Sequence, residues 1–401
     1  MGGAFIGLAD DWSAIYWNPA GLSQIEGFAA GAEFLSPHTT MEDGSSLSNL
    51  PITNMDTRYQ RDVFAQYPPG AGGPFEPFQF NKTEVSDDFY VLNGAGVHWE
   101  LGGFHMALGY YIPVGYYVDW DDRLTYGTGS ISADLFQELG IMTTNVSISK
   151  QIHPRLSLGA GVNLLYGMID YEANKGVANS GISDYAWSFD SESNGTGWEG
   201  VVGLLYHITD DLSLGGVYRS GGTIDLEGDV QTSSSSQLFP YSLASGFQQG
   251  FRQPSTYGVG LAYQVRPDWT VTADWQHTRW SEFRIDIDYD TPGAVLANQD
   301  YSALWSNSNR YRFGTEWLPC PQWALRGGYF FDESPLPDQS VSLSHIVGVD
   351  RHNLTLGVGR KIGRHLSLDG LLAYAFGNRT VSGVDYGQDV YAVGLTLAYR
   401  R

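Results

Sequence analysis

Alternation of bulky apolar residues with small residues, repeated in many segments of about ten residues, constrains the fold of this chain most strongly. In residues 390–400 (VYAVGLTLAYR) the large side chains occupy every second position, with Ala, Gly and Thr between them. Residues 155–169 and 365–376 show the same pattern. Because successive side chains of a β-strand point to opposite faces, each segment predicts a strand with one bulky apolar face and one small or polar face.

The residues of the second face indicate what that face contacts. The polar face of a soluble sheet would carry many Lys and Glu, whereas here it carries mainly Gly, Ser, Thr and Asn. Charged residues make up only 16% of the chain, below the roughly 25% that is usual for soluble proteins. An apolar face toward lipid and a small or polar face toward a lumen is the pattern of a transmembrane β-barrel. A helical membrane protein is excluded, because the best uncharged apolar stretch, residues 161–169, is about half the length that a spanning helix needs.

The spacing of the strands indicates the size of the barrel. Tight turns alternate with long polar connections, as in bacterial outer-membrane barrels, which have an even number of antiparallel strands. Nothing in a soluble sandwich requires short connections to alternate with long ones. No repeat of 20–50 residues suggests a propeller or a solenoid. We therefore predict an all-β fold, a transmembrane antiparallel β-barrel of about fourteen strands. The predicted strands are 27–35, 90–100, 103–118, 140–152, 155–170, 196–208, 211–228, 255–265, 269–288, 309–318, 322–332, 352–362, 365–377 and 388–400.

Charge and side-chain chemistry exclude several classes of function. The formal charge of −22 would repel nucleic acid and anionic lipid headgroups. Cys320 is the only cysteine, and it is expected to be an inert turn residue. His105, His207 and His277 have no second histidine at the spacing of metal ligands, so we predict no metal site. Weak calcium binding by the acidic loops stays open, although the loop that begins at Asp190 lacks the glutamate of an EF-hand.

Signals for catalysis and cofactors fail on their context. Residues 195–200 match G-x-G-x-x-G, but they lead from a loop into a strand, whereas a dinucleotide site requires a strand, then glycines, then a helix. The chain has no G-x-S-x-G motif and no convincing Ser/His/Asp set. We therefore predict that the protein is not an enzyme and has no cofactor. An outer-membrane hydrolase remains the alternative from a different functional class.

The N-terminal residues are expected to fill part of the lumen. About fourteen strands enclose a lumen wide enough to leak unless something blocks it. Apolar residues recur at helical spacing before the first strand and predict a short helix over residues 4–17, which Asn18-Pro19 ends; they are Ala4, Phe5, Leu8, Ala9, Trp12, Ile15 and Tyr16. We expect Asp10 and Asp11 either to pair with Arg or Lys of the inner wall or to cap backbone donors. A simple turn at Asn18-Pro19 is the alternative interpretation.

Several motifs in the same order resemble the FadL/TodX family of outer-membrane transport proteins. The opening GGAFIGLADDWSAIYWNPAGL is similar to the hatch of that family, with its A-D-D spacing and its Asn-Pro-Ala element at Asn18, Pro19 and Ala20. Tyr218 to Val230 resembles the seventh strand of the family. The segments WSEF at Trp280, LRGGYFFDESPLPDQ at Leu325 and the sequence from Asp350 to Phe376 resemble its C-terminal strands. The resemblance covers essentially the whole chain.

The resemblance implies a fourteen-stranded barrel with a hatch inside its lumen. Residues 1–26 would form the hatch, which is expected to lack its start and a signal peptide, and residues 27–401 would form the barrel. Such a protein moves long-chain fatty acids or other hydrophobic molecules inward across the bacterial outer membrane, with lateral exit near the Asn-Pro-Ala element. Asp10, Asp11, Asn18, Pro19 and Ala20 are the predicted gating residues. We expect a monomer in outer-membrane lipid; the alternatives are an aromatic-hydrocarbon channel of the same family and a general porin.

Residues that touch the ligand are harder to predict. Alternation points Arg219, Arg312 and Arg326 into the lumen, where a carboxylate-bearing ligand would need a cation. With Phe5 of the hatch they form the predicted substrate-binding set. The competing interpretation is that each arginine pairs with inward acids such as Asp274, Glu316 or Asp369, or with the hatch carboxylates. Loop aromatics could line an outer hydrophobic groove or anchor the membrane interface; these are Phe75, Phe78, Phe80 and Trp187.

Overall fold

A computed structural model describes residues 1–43, 83–88, 91–126, 129–178, 184–236, 239–302, 305–338, 348–381 and 384–401. These residues form one closed antiparallel sheet, in which five of the fourteen barrel strands are interrupted and consist of two segments. The strands are β1 (Ala29–Asp43), β2 (Thr83–Asp88 and Val91–Leu101), β3 (Phe104–Tyr126), β4 (Gly129–His153), β5 (Leu156–Ala178), β6 (Tyr185–His207), β7 (Leu212–Arg219 and Gly222–Ser234), β8 (Tyr241–Gln253 and Thr256–Arg266), β9 (Trp269–Thr278 and Arg284–Tyr289), β10 (Gln299–Ser302 and Ser308–Cys320), β11 (Trp323–Asp332), β12 (Arg351–Ile362), β13 (Leu366–Val381) and β14 (Val384–Arg400).

Pairing of the first strand with the last closes the barrel. Ala29 of β1 lies opposite Arg400 of β14, and the pairing continues to Asp43 opposite Tyr386. Closure leaves no sheet edge, which satisfies the backbone polar groups that lipid cannot satisfy. Each predicted strand overlaps one of the observed strands, so the predicted fold is confirmed. In the part of the chain that the structure describes, no helix is long and apolar enough to span a membrane.

The outer face of the barrel carries the predicted apolar residues. Leu356 is 66% exposed, Val393 59% and Leu372 58%, and their neighbours along the strands point into the lumen. Exposure of so many large aliphatic side chains on one continuous face is unfavourable in water and favourable in lipid. The alternation read from the sequence is therefore confirmed.

The N-terminal residues adopt a different conformation from the one predicted. The helix covers only Ala14–Trp17 and is followed by a 3₁₀ helix over Pro19–Gln24. Before the helix the chain forms turns, with Ala9 at a φ of 40°, which a continuous right-handed helix cannot contain. The predicted helix over residues 4–17 is therefore wrong in its length. Its end is correct, because Asn18 is extended at φ −161° and ψ 102°, as a residue before proline should be.

Candidate functional site

Residues 1–28, which we call the N-terminal segment, lie inside the barrel. Most of their apolar side chains are buried, including Ile6, Ile15 and Leu22 at 2% exposure or less. Ile15 and Leu22 pack in one cluster with Ala107 and Tyr111 of β3, and Phe5 and Tyr16 lie against that cluster. The segment therefore shares a hydrophobic core with the inner wall.

Glycines on the inner wall make room for the N-terminal segment. A Cβ atom at Gly109 would lie 1.8 Å from Ile15 Cδ1, and one at Gly159 would lie 2.3 Å from the Ala20 nitrogen. Both distances are far below van der Waals contact, so a larger residue at Gly159 would displace the backbone of the segment and one at Gly109 would displace the Ile15 side chain. Inward glycines on nine strands approach the segment in this way: Gly31, Gly96, Gly109, Gly159, Gly203, Gly215, Gly260, Gly314 and Gly328.

Polar groups of the wall bind the backbone of the segment. Asp274 of β9 accepts hydrogen bonds from the backbone nitrogens of Phe5 and Ile6 through one oxygen, at 2.7 and 2.9 Å. Ser213 of β7 donates to the Gly7 carbonyl at 2.6 Å. The wall thus satisfies the Gly7 carbonyl, which an α-helix would have satisfied internally, and it binds the nitrogens of Phe5 and Ile6, which would lack a partner in the first turn of a helix that begins at residue 4. These contacts explain why residues 4–13 do not form the predicted helix.

Asn18, one of the predicted gating residues, links the segment to the wall. Its side-chain nitrogen donates to the Ile6 carbonyl at 2.9 Å and to the Leu204 carbonyl of β6 at 3.0 Å. Its side-chain oxygen accepts from the Ala20 nitrogen at 3.2 Å. Asn18 is fully buried, so one amide fixes two turns of the segment and one strand, and an apolar residue would leave these groups unpaired.

Asp10 and Asp11 of the N-terminal segment do not bind the wall in the way that the sequence predicted. Asp11 accepts hydrogen bonds from the nitrogen and the hydroxyl of Ser13 at 2.8 and 2.6 Å, which is the capping alternative of the sequence prediction. Among the described residues neither Asp10 nor Asp11 forms an ion pair, and both side chains are exposed within the lumen. The expected ion pairs with wall cations are therefore not observed, and Asp274 supplies the anchor instead.

All three predicted arginines point into the lumen, but two of them have acidic partners. Arg326 of β11 lies 2.7 Å from Glu316 of β10 and also pairs with Asp369 of β13. Arg219 of β7 pairs with Glu199 at 3.5 Å, donates to the Tyr111 hydroxyl at 3.3 Å and contacts the Tyr16 carbonyl. For Arg219 and Arg326 the geometry therefore agrees with the competing interpretation, in which each arginine pairs with acidic residues that also point inward.

Arg312 of β10 is the exception. The residue is 3% exposed, its guanidinium donates to Gln276 at 2.8 Å, and the central carbon of the guanidinium lies 5.3 Å from the Trp17 ring centroid. Asp274 is opposite Arg312 in the pairing of β9 with β10, but one of its oxygens already serves the segment. No carboxylate within the described residues forms an ion pair with Arg312. A buried guanidinium with so few partners can receive an anion.

Apolar residues continue along the inner wall from the segment toward the long loops. The first cluster consists of Ile141, Leu165, Ile224 and Leu226, with Val114, Ile169 and Phe251 against it. The second consists of Phe189, Val230, Phe247, Tyr289 and Leu296, with Tyr171, Trp187 and Ile287 against it. Trp187 thus belongs to an apolar cluster on the loop side, whereas Phe75, Phe78 and Phe80 lie outside the described residues. The two clusters give β3 to β9 an apolar inner surface that suits a hydrophobic molecule.

The sequence analysis did not predict one pair of neighbouring histidines. His98 Nε2 lies 3.2 Å from His105 Nδ1 across the hairpin of β2 and β3, because the strand register places the two rings side by side. No group of three or more potential metal ligands is found in the described ranges. A seven-residue separation across a tight hairpin was the signal that could have predicted this pair.

Together the fold and the site define a class: outer-membrane transport proteins whose β-barrel lumen holds the N-terminal segment of the same chain. The chain belongs to the family described as outer membrane protein transport protein (OMPP1/FadL/TodX), whose model matches residues 1–396. It is accordingly a protein of the bacterial outer membrane.

Known relatives agree with the assignment to this family. The chain is 25% identical over 278 residues to a long-chain fatty acid transport protein of Salmonella typhi, which aligns 63% of this chain and 62% of that protein. It is 24% identical over 418 residues to the long-chain fatty acid transport protein of Escherichia coli K12, covering 94% of this chain and 85% of that protein.

Solved structures share the fold at low sequence identity. A FadL homologue of Pseudomonas aeruginosa superposes with a TM-score of 0.74 at 15% identity, over 100% of this chain and 97% of that one. The toluene transporter TbuX of Ralstonia pickettii gives a TM-score of 0.67 at 16% identity, over 100% and 96%. At sequence identities this low, the similarity shows that the barrel architecture is shared. The ligand has to be inferred from the residues of the site.

Proposed function

We propose that this protein takes up long-chain fatty acids across the outer membrane, with residues 1–26 as a hatch within the barrel of residues 27–401. The relatives in Salmonella typhi and Escherichia coli are named for the transport of these molecules. Ligand would leave the lumen laterally beside Asn18, Pro19 and Ala20 after movement of the hatch. The hatch is a suitable moving element because it is held by a small number of hydrogen bonds, whereas each wall strand is held along its whole length.

The environment of Arg312 is the observation that favours a fatty acid as the ligand. A fatty acid needs a cation for its carboxylate and an apolar surface for its chain. Arg312 is a buried arginine that forms no ion pair with a carboxylate in the described part of the chain, and it lies beside Trp17, whose ring contacts the Phe5 ring. Arg219 and Arg326 already have acidic partners. We therefore assign the carboxylate to Arg312 and the first carbons of the chain to the aromatic rings of the hatch.

The test compares Arg312→Met with Arg312→Lys in bacteria that lack their own fatty-acid transporter. Charge-assisted hydrogen bonds contribute about 1.5–3 kcal/mol, so Arg312→Met should weaken saturable uptake of labelled oleate by about ten- to a hundredfold. Arg312→Lys should restore part of that uptake, because it keeps the charge and loses the fork of donors. Uptake of labelled toluene, which has no carboxylate, should be the same in all three proteins.

Arg360→Met is the matched control. Arg360 of β12 also stacks on a tryptophan, at 5.1 Å from the Trp323 ring centroid, but its side chain is exposed on the outside of the barrel. Its replacement should leave oleate uptake unchanged. Equal oleate uptake by wild type and Arg312→Met would contradict the assignment of the carboxylate.

Uptake of aromatic hydrocarbons is the second candidate function. The architecture is shared with a toluene transporter, and the apolar inner clusters of β3 to β9 would suit an uncharged ligand. Toluene uptake without any oleate uptake would favour this function. Entry of neither molecule, with the barrel folded in the membrane, would reject both.

A further inference from the structure

A furrow lies on the outer face of the barrel, along β9. Ala273 of β9 is opposite Leu261 of β8 on one side and opposite Phe313 of β10 on the other. Leu261 and Phe313 are both exposed, so two large outward side chains stand on either side of a single methyl group. Tyr263 and Val271 extend the lining, and the cavity has a volume of about 640 Å³. An apolar cavity on this face opens toward lipid.

The furrow leads along β9 to a cation at the edge of the membrane. Val271 and Trp269 are the next outward residues of β9, and Arg266 is opposite Trp269 across the tight turn. The central carbon of the Arg266 guanidinium lies 5.4 Å from the Trp269 ring centroid, so the ring helps to hold the cation at the end of the furrow. From Ala273 to Trp269 a strand rises about 13 Å, which is about half of the roughly 25 Å apolar band of an outer-membrane barrel. The furrow therefore crosses one leaflet and ends at the level of the headgroups.

Arg266 is able to bind a further anion. Its guanidinium lies 3.2 Å from Asp268, but both side chains are about half exposed, and exposed ion pairs of this kind contribute little to stability. Asp268 also accepts a hydrogen bond from the Trp317 indole nitrogen at 3.3 Å, so it keeps a partner when Arg266 binds another group. The five donors of a guanidinium form a fork that matches the oxygens of a phosphate.

Charge at this end of the barrel favours an anionic ligand. The tight turns of outer-membrane barrels lie on the periplasmic side. Here they include eight Lys or Arg and five Asp or Glu residues, whereas the whole chain has 22 and 44. The repulsion of anionic headgroups that the net charge predicts therefore does not apply to this rim. The rim consists of residues 24–28, 100–104, 150–156, 207–212, 264–269, 318–323, 360–366 and 400–401.

We propose that the furrow and Arg266 form a binding site for one anionic phospholipid of the periplasmic leaflet. One acyl chain lies along β9 over Ala273 and Val271, and the phosphate binds Arg266 beside Trp269. A zwitterionic headgroup brings a cation of its own, which the positive rim disfavours. The site is separate from fatty-acid uptake, which takes place in the lumen on the other face of the same strands.

Native mass spectrometry of the purified full-length protein in detergent tests the proposal. The wild type is titrated with phosphatidylglycerol and, separately, with phosphatidylcholine of the same chain length. One phosphatidylglycerol should bind at least about fivefold more tightly than phosphatidylcholine, because only the former lacks a compensating cation. Arg266→Gln should remove this preference. Ala273→Phe, which fills the furrow, should weaken the binding of both lipids about tenfold, because it displaces the acyl chain.

Arg360→Gln and Ala160→Phe are the matched controls. Arg360 is an exposed cation of the same rim at 5.1 Å from the Trp323 ring centroid, and Ala160 of β5 is an exposed alanine of the outer face; neither lines the furrow. Both variants should bind the two lipids as the wild type does, and oleate uptake in cells should be the same in all five proteins.

Three results would overturn the proposal. The first is equal affinity of the wild type for the two lipids, and the second is wild-type affinity in Ala273→Phe. The third is a dimeric wild type that Ala273→Phe converts to monomers without a change in lipid affinity, since a second copy of the chain would then occupy the furrow.

Discussion

The two sides of the lumen wall differ in how they meet the N-terminal segment, although their outer faces follow the same apolar pattern. From β3 to β8 the inward positions next to the segment include several Gly, Ser and Asn residues, and buried members such as Asn145, Asn163 and Ser157 are at most 3% exposed. On β12 to β14 the nearest neighbours of the inward Gly357 and Gly394 are wall atoms, and the inward Leu371 and Thr396 stay partly exposed. The difference shows that lipid requires the same apolar pattern on the outer face of every strand. The residues of the inner face depend instead on what lies against them.

The largest effect should come from adding one methyl group to the wall of β3 to β8, against which the segment packs. A Cβ at Gly159 would lie 2.3 Å from the Ala20 nitrogen and 2.4 Å from the Pro19 carbonyl carbon, and these backbone atoms can move only with the segment. We expect Gly159→Ala to displace the segment, to raise conductance severalfold and to expose the segment to proteinase K. Overpacking of this kind costs typically about 1–3 kcal/mol.

Gly357→Ala is the corresponding change on β12. Its Cβ would meet Arg326 Cβ at 3.4 Å, an ordinary contact, and no atom of the segment. Conductance and protease resistance should remain those of the wild type. If the two alanine variants behave alike, glycines do not determine where the segment lies.

A smaller effect should follow the loss of one wall anchor. Asp274→Ala removes the acceptor of the Phe5 and Ile6 nitrogens, and a buried unpaired donor costs about 1–3 kcal/mol. We expect more frequent open bursts in single-channel records and faster cleavage of the segment. Asp274→Asn keeps a side-chain oxygen that can accept both bonds, so it should recover much of the wild-type behaviour. Identical records for the two variants would show that these hydrogen bonds do not hold the segment.

The fold could be predicted from the sequence because its cause acts locally on each strand. Lipid requires large apolar side chains outward at every second residue, so alternation and turn spacing predict both the strands and the inward direction of Arg219, Arg312 and Arg326. Partners of these arginines depend on strand register, which alternation does not determine. Glu316 lies directly opposite Arg326, and the sequence offered Glu316 only as one of several acids.

Prediction of the N-terminal segment failed for a related reason. Helical spacing of Ala4 to Tyr16 is a local signal, but the backbone of Phe5 and Ile6 binds Asp274, which is 268 residues or more away in sequence. Only Asn18-Pro19, whose effect on the backbone is local, ended the helix where it was predicted. Sequence periodicity cannot predict contacts between a segment and wall strands that lie much further along the chain.

The smallest structural effect should follow replacement of Asp10 and Asp11 by Ala. The sequence alone predicted that this change would loosen the hatch, but the only hydrogen bonds observed for the two side chains in the described structure are those of Asp11 with Ser13. Loss of such a local hydrogen bond costs about 0.5–1.5 kcal/mol, and the contacts of Asp274 and Asn18 remain. We therefore expect conductance and protease resistance close to those of the wild type. A large rise in conductance would instead make these carboxylates anchors, and the packing of the segment against β3 to β8 would then not explain how the segment is held.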